Sequence, residues 1–162
     1  MLPEKARICV CGSRDFAEEE YLRGMLDKIR ERHGGTVTII HGACPTGADA
    51  LADKWAADHG LEVERFPADW DGFGAEGNRR LAGPMRNEAM AATKPLAAYG
   101  FLRNEILTRG TADCLSKMLR HGVPSYLCSA PNAEPLSTAD FVKYVGALRA
   151  EDLPEDDGGD DE

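Results

Sequence analysis

Apolar residues along this chain come in short runs of two alternating spacings, and nearly every run ends at a glycine or a proline. Residues 6–11 form an apolar run that stops at Gly12, which predicts a first strand. Over residues 18–33, Tyr21, Leu22, Met25, Leu26 and Ile29 recur at helical spacing, with Gly34 and Gly35 as stop signals. The β-branched run 36–41 ends at Gly42 and predicts a second strand. Residues 48–59 read as a helix with Leu51, Trp55 and Ala56 on one face and Gly60 at its end. The alternating stretch 61–66, closed by Pro67, predicts a shorter third strand. Residues 69–83, rich in Gly, Asp and Arg, are expected to be irregular. Beyond them the pattern predicts a helix over 85–92 entered after Pro84, a fourth strand over 96–99 and a helix over 111–121. A fifth strand over 124–128 and a last helix over 138–149 complete the chain.

Strand and helix therefore alternate, as in an α/β domain with an open parallel five-stranded sheet and helices on both faces. Ligands of such sheets bind outside the carboxyl ends of the strands, near the point where strand order reverses. The unusual residues are expected there: 12–15 after the first strand, 42–49 after the second, 69–87 after the third and 100–111 after the fourth.

Charge changes the picture only when it is located. The formal net charge is −9, yet residues 151–162 hold eight acids and no base. The other 150 residues then carry 20 acids (28 less those eight) against 19 bases. The expected organisation is one domain over 1–150 and a disordered, solubilising acidic tail over 151–162. A near-neutral body without a long basic stripe argues against nonspecific nucleic-acid binding. No apolar run approaches the ~18 residues of a membrane span. The first residues lack the apolar core of a signal peptide, so a cytoplasmic protein is expected. Five scattered cysteines, Cys9, Cys11, Cys44, Cys114 and Cys128, read as reduced thiols and small buried hydrophobes rather than a zinc site. Neither a metal nor a cofactor is expected.

Gly12, Ser13 and Arg14 follow the first strand and offer a close backbone approach, a hydroxyl and a guanidinium fork for phosphate. The dinucleotide fingerprint G-x-G-x-x-G is absent. Gly42 and Gly47 have Walker A spacing, but Ala48 and Asp49 stand where Lys and Ser/Thr are required, which excludes that NTPase loop. What remains, with Thr46, is a glycine-containing turn entering a helix N-terminus, where free N–H groups attract anions. Asp49 reads equally as a cap of that helix. Trp70 is suited to stack on a base or to cover the core. Arg86, with Asn87 beside it, stands in the first turn of the helix expected from residue 85. A cation there opposes the helix dipole, and phosphate or ribose binding would account for it. Gly110, Thr111 and Asp113 open the next helix, Thr111 as an N-cap or phosphate ligand and Asp113 as an electrostatic or catalytic acid.

Taken in order, these segments resemble the SLOG superfamily, named for the Smf/DprA DNA-processing proteins and the Lonely Guy enzymes, and within it the small YspA-related branch. The resemblance runs from Arg7 to about Cys128 on the segments 12–16, 41–49, 67–70, 82–90 and 110–113. It implies a Rossmann-like sheet that binds a nucleotide or nucleotide-derived ligand, such as a nucleoside phosphate or an ADP-ribose derivative, as a sensor or carrier. The alternative it implies is hydrolysis of the N-glycosidic bond of a nucleoside 5′-monophosphate, with Arg86 and Asp113 as catalytic residues. Residues 86–90 are similar to the Lonely Guy segment R-K-x-x-M. Of its P-G-G-x-G-T-x-x-E segment, Gly110 and Thr111 match, while Cys114 occupies the glutamate position. Catalysis would then fall to Asp113, turned by about 100° along the helix. A DNA-associated accessory role is a further alternative, because Smf/DprA shares the fold. Self-association into a homo-oligomer is left open.

Overall fold

The structure is a computed structural model and describes residues 5–129 apart from 76, 78 and 105. The last helix expected from the sequence and the acidic stretch 151–162 lie outside the described residues. The elements in chain order are β1 (Ala6–Gly12), α1 (Glu19–Arg32), β2 (Val37–His41), α2 (Gly47–Asp58), β3 (Val63–Arg65) and α3 (Trp70–Ala75). A 3-10 turn (Arg79–Leu81), α4 (Ala82–Ala92), β4 (Ala97–Leu102), α5 (Arg109–Arg120) and β5 (Ser125–Ser129) follow.

All five strands are parallel, in the order β3-β2-β1-β4-β5. Strand order steps outward from β1 to β2 and β3, then returns to the other side of β1 for β4 and β5. The reversal lies between β1 and β4, and a crevice opens there at the carboxyl ends.

Alternation along each central strand feeds two cores, which is why these strands read as nearly continuous apolar runs. Ile8 and Val10 of β1 face α1 and α2, against Leu22, Leu26, Ala52 and Trp55. Cys9 and Cys11 point the other way, toward Met90 of α4 and Leu115 and Met118 of α5. The sheet is Rossmann-like, with helices on both faces.

Several boundaries differ from the sequence expectation, each for a local reason. β4 runs on through Gly100 to Leu102. A Cβ at Gly100 would lie 2.7 Å from Leu115 Cδ1 and 3.1 Å from Thr111 Cγ2, so this glycine lets α5 lie close on the strand instead of ending it. α4 begins at Ala82, with Pro84 inside its first turn, where a missing N–H leaves no hydrogen bond unmade. Arg86 therefore stands in the second turn. α5 begins at Arg109 after the N-cap Thr108, so Thr111 is a helical residue and no acid occupies the first turn. Within the stretch expected to be irregular, Asp69 accepts the Gly72 N–H at 3.0 Å and starts α3.

Candidate functional site

The carboxyl ends of β1, β2 and β3 converge with α4 and α5 on a cleft of about 340 Å³. Three successive connections form one side of it. Gly12 and Arg14 come from the loop after β1, residues 42–45 from the loop after β2, and Pro67, Ala68 and Trp70 from the chain after β3. The helices supply Asp49 from α2, Arg86, Asn87 and Met90 from α4, and Gly110, Thr111 and Cys114 from α5.

The β2–α2 loop is held by a buried histidine. His41 Nδ1 accepts the Ala43 N–H at 2.9 Å, so the ring carries its proton on Nε2 and donates it to Asp53 Oδ2 at 2.6 Å. Arg65 grips the same carboxylate at 2.7 and 3.1 Å. Hydrogen bonding to Arg65 first, and then to His41, holds Asp53 below the usual carboxylate range. Ala43, the residue so pinned, has φ +59°, a left-handed conformation that side chains disfavour, on the cleft wall. Gly47, with φ +74°, brings α2 against the β1–α1 loop; a Cβ there would lie 2.3 Å from Ser13 O.

Asp49 does not cap α2. Its Oδ2 accepts the Cys44 N–H at 3.2 Å, back across the loop. The side chain is buried, and desolvation raises its pKa despite the opposing Arg86 charge and the bond from the Cys44 N–H.

Arg86 reaches from α4 to the sheet edge. Its Nη1 donates to Gly42 O and to Phe66 O at 3.5 Å, and its Nε donates to Asn87 Oδ1 at 2.8 Å. Among the described residues none bonds to its Nη2. A Cβ at Gly42 would meet the end of the Arg86 side chain, which lies against this glycine. Arg14, on the β1 side, lies 5.7 Å from the Trp70 ring centroid, within cation–π range.

Asp113, the catalytic acid expected from the sequence, does not line the cleft. Its Oδ2 accepts Asn87 Nδ2 at 2.9 Å and Lys117 Nζ at 2.9 Å, and Lys117 also donates to Pro84 O at 2.8 Å. It ties α5 to α4. The adjacent Cys114 is the residue turned into the cavity. Asp49 is the carboxylate among the described lining residues.

Of the other expected residues, Gly12, Arg14, Gly42, Trp70, Arg86, Asn87, Gly110 and Thr111 line the cleft, whereas Ser13, Thr46 and Gly47 do not. Thr111 Oγ1 accepts a hydrogen bond from Thr108 Oγ1 at 3.2 Å. Ser13 is 2% exposed, and its hydroxyl has no hydrogen-bond partner among the described residues. Sequence reasoning missed Cys11, Cys44, Cys114 and Met90 as lining residues. Their signal was positional: Cys11 is the last residue but one of β1, Cys114 lies in the second turn of α5 and Met90 in the third turn of α4.

Residues 6–73 match the model of a family described as YspA, cpYpsA-related SLOG. Over that stretch the chain is similar to YspA-related SLOG proteins. The SLOG match covers β1 to α3 and with them the β1, β2 and β3 sides of the cleft; Arg86 and the α5 residues lie beyond it. Among solved structures the chain is similar to the Moco carrier protein from Chlamydomonas reinhardtii. The TM-score is 0.56 at 16% identity, over 94% of this chain and 88% of that one. At that identity the likeness is one of fold. A search of curated proteins found no match. No described helix is long and apolar enough to cross a membrane.

Proposed function

We propose that the cleft binds a small phosphate-bearing, nucleotide-derived molecule, a nucleoside phosphate or ADP-ribose-like compound, and that the protein serves as its sensor or carrier. The observation that carries this reading is the presence of two guanidiniums, Arg14 and Arg86, with the Trp70 ring on the wall of one cleft at the strand-order reversal. Guanidinium forks suit phosphate, and an indole face suits a base or other flat ring. A volume of about 340 Å³ falls within the range of small-molecule pockets. The match to a SLOG family over residues 6–73 and the fold of a protein named a Moco carrier are in keeping with a ligand-binding role.

Calorimetry with a nucleoside, its 5′-monophosphate and ADP-ribose tests the reading. Binding of the phosphorylated compounds and not of the nucleoside is expected. Arg86→Ala should weaken it by about 1.5–3 kcal/mol, the worth of a hydrogen bond to a charged group. Equal affinity for nucleoside and nucleotide would overturn it.

One observation favours a second reading, N-glycosidic hydrolysis: a buried carboxyl, Asp49, whose pKa burial has raised, lines the cleft. Chromatography of free base from a 5′-monophosphate separates the two. Release that survives Asp113→Asn and is lost in Asp49→Asn would assign catalysis to Asp49.

A further inference from the structure

The floor of the cleft holds a chemical group that the ligand reading does not use. Cys11 of β1 and Cys114 of α5 both line the cavity, and Cys9 is buried behind them in the same core. Cys9, Cys11 and Cys114 share one buried cluster where β1 faces α5. The neighbouring Cys11 and Cys9 thiols, aided by the Arg86 charge and against burial, hold the Cys114 thiol well below its ordinary range. Cys114 and burial push Cys9 and Cys11 up. A thiolate beside a neutral thiol is the arrangement in which oxidation at one sulfur is resolved by the other. Cys44, across the cleft, is more exposed, and burial raises its thiol.

We propose that Cys114 and Cys11 form a hydroperoxide-sensitive thiol pair in the cleft floor. The Cys114 thiolate, its proton lost to solvent, attacks one oxygen of hydrogen peroxide and forms an S–O bond. The O–O bond breaks, and its electron pair leaves on the distal oxygen, which takes a proton and departs as water. Cys114 is then a sulfenic acid, oxidised by two electrons. The Cys11 sulfur attacks the Cys114 sulfur, the S–S bond forms, and the S–O bond breaks. The departing hydroxide takes the Cys11 proton and leaves as a second water. Two thiols and one peroxide give one disulfide and two waters. Cys11 is the resolving partner because it borders the cavity into which that water leaves, whereas Cys9 is fully buried. Cys114 is 2% exposed and Cys11 7%, so the pair is reached by an oxidant of about the size of water. The proposal is independent of what the cleft binds.

The test uses the full-length wild-type protein with one equivalent of hydrogen peroxide, followed by alkylation and tryptic mapping. The expected product is a cross-link between peptides 8–14 and 110–117, which carry Cys11 and Cys114. It should be lighter by two hydrogens and reversed by dithiothreitol, with Cys44 still alkylated. Fragmentation of the shorter peptide should place the link on Cys11, and Cys11→Ser should leave a sulfenic acid at Cys114 that dimedone traps. Cumene hydroperoxide, being bulkier, should react more slowly than hydrogen peroxide. Oxidation of Cys44 ahead of Cys114 in the wild type, or a link to Cys9 instead of Cys11, would overturn the proposal.

Discussion

Asp49 holds a carboxylate where folding alone would not put one. Burial raises its pKa from the ordinary 3.8, so the folded chain binds this proton more tightly than the unfolded chain does. Above the unfolded value the ionised group therefore weakens folding, and below it both states are protonated and the penalty vanishes. Asp49→Asn keeps an oxygen for the Cys44 N–H and removes the charge. Its melting temperature should exceed that of the wild type at pH 7, and the gap should close as pH falls below about 4. A lower melting temperature at pH 7 would show that the charge stabilises. The two cleft-loop glycines make a matched contrast. At Gly42 the obstacle to a Cβ is the end of the Arg86 side chain, which can swing aside, so Gly42→Ala should fold while losing affinity for an anionic ligand. At Gly47 the obstacle is Ser13 and Arg14 backbone and φ is +74°, so Gly47→Ala should lose stability by about 1–3 kcal/mol from the left-handed backbone alone. Urea unfolding of the pair reads both outcomes.

At the scale of elements, α4 and α5 present the cleft residues only if they stay in register with each other. Lys117 fixes that register from Asp113 and Pro84 O, with its side chain only 13% exposed. Lys117→Met preserves the aliphatic stem and removes both bonds. It should reduce unfolding free energy by about 1.5–3 kcal/mol, as for other hydrogen bonds to a charged group. An unchanged urea midpoint would mean that packing alone holds the two helices. These elements also show what the sequence made legible. Alternation marked β1, β2 and α1 to within a residue or two, because their apolar spacing directly reflects the face they bury. Gly100, Gly83-Pro84 and Gly110 were misleading, since glycine and proline end elements in an isolated chain. Here they allow close packing or sit harmlessly in a first turn, and only tertiary contacts distinguish the two uses. The polar cleft residues were legible because they follow strands, where ligands of open parallel sheets bind. The thiols were not, because a cysteine in an apolar run has the pattern of a small core residue. Asp113 misled for the converse reason: its partners Asn87 and Lys117 come together only when α4 packs on α5.

For the whole molecule, charge distribution separates local recognition from long-range attraction. Residues 1–150 carry 20 acids and 19 bases, so nearly all of the net −9 belongs to the acidic stretch 151–162. A chain of that net charge repels an anionic ligand from a distance, while Arg14 and Arg86 attract it within the cleft. The two effects differ in their response to salt. At roughly 0.15 M ionic strength the Debye length is about 8 Å, which screens charges farther than that from the ligand but not groups on a cleft wall. Truncation after Ala150 should therefore leave nucleotide affinity unchanged at that ionic strength. It should shift the melting temperature by no more than about a degree or two, as surface changes usually do. In dilute buffer, at about 0.01 M where the Debye length is about 30 Å, the truncated chain should bind the anion more tightly than the full chain, chiefly through faster association. Calorimetry and stopped-flow mixing at the two ionic strengths measure this. Tighter binding by the full chain at either salt concentration would mean that residues 151–162 take part in the site.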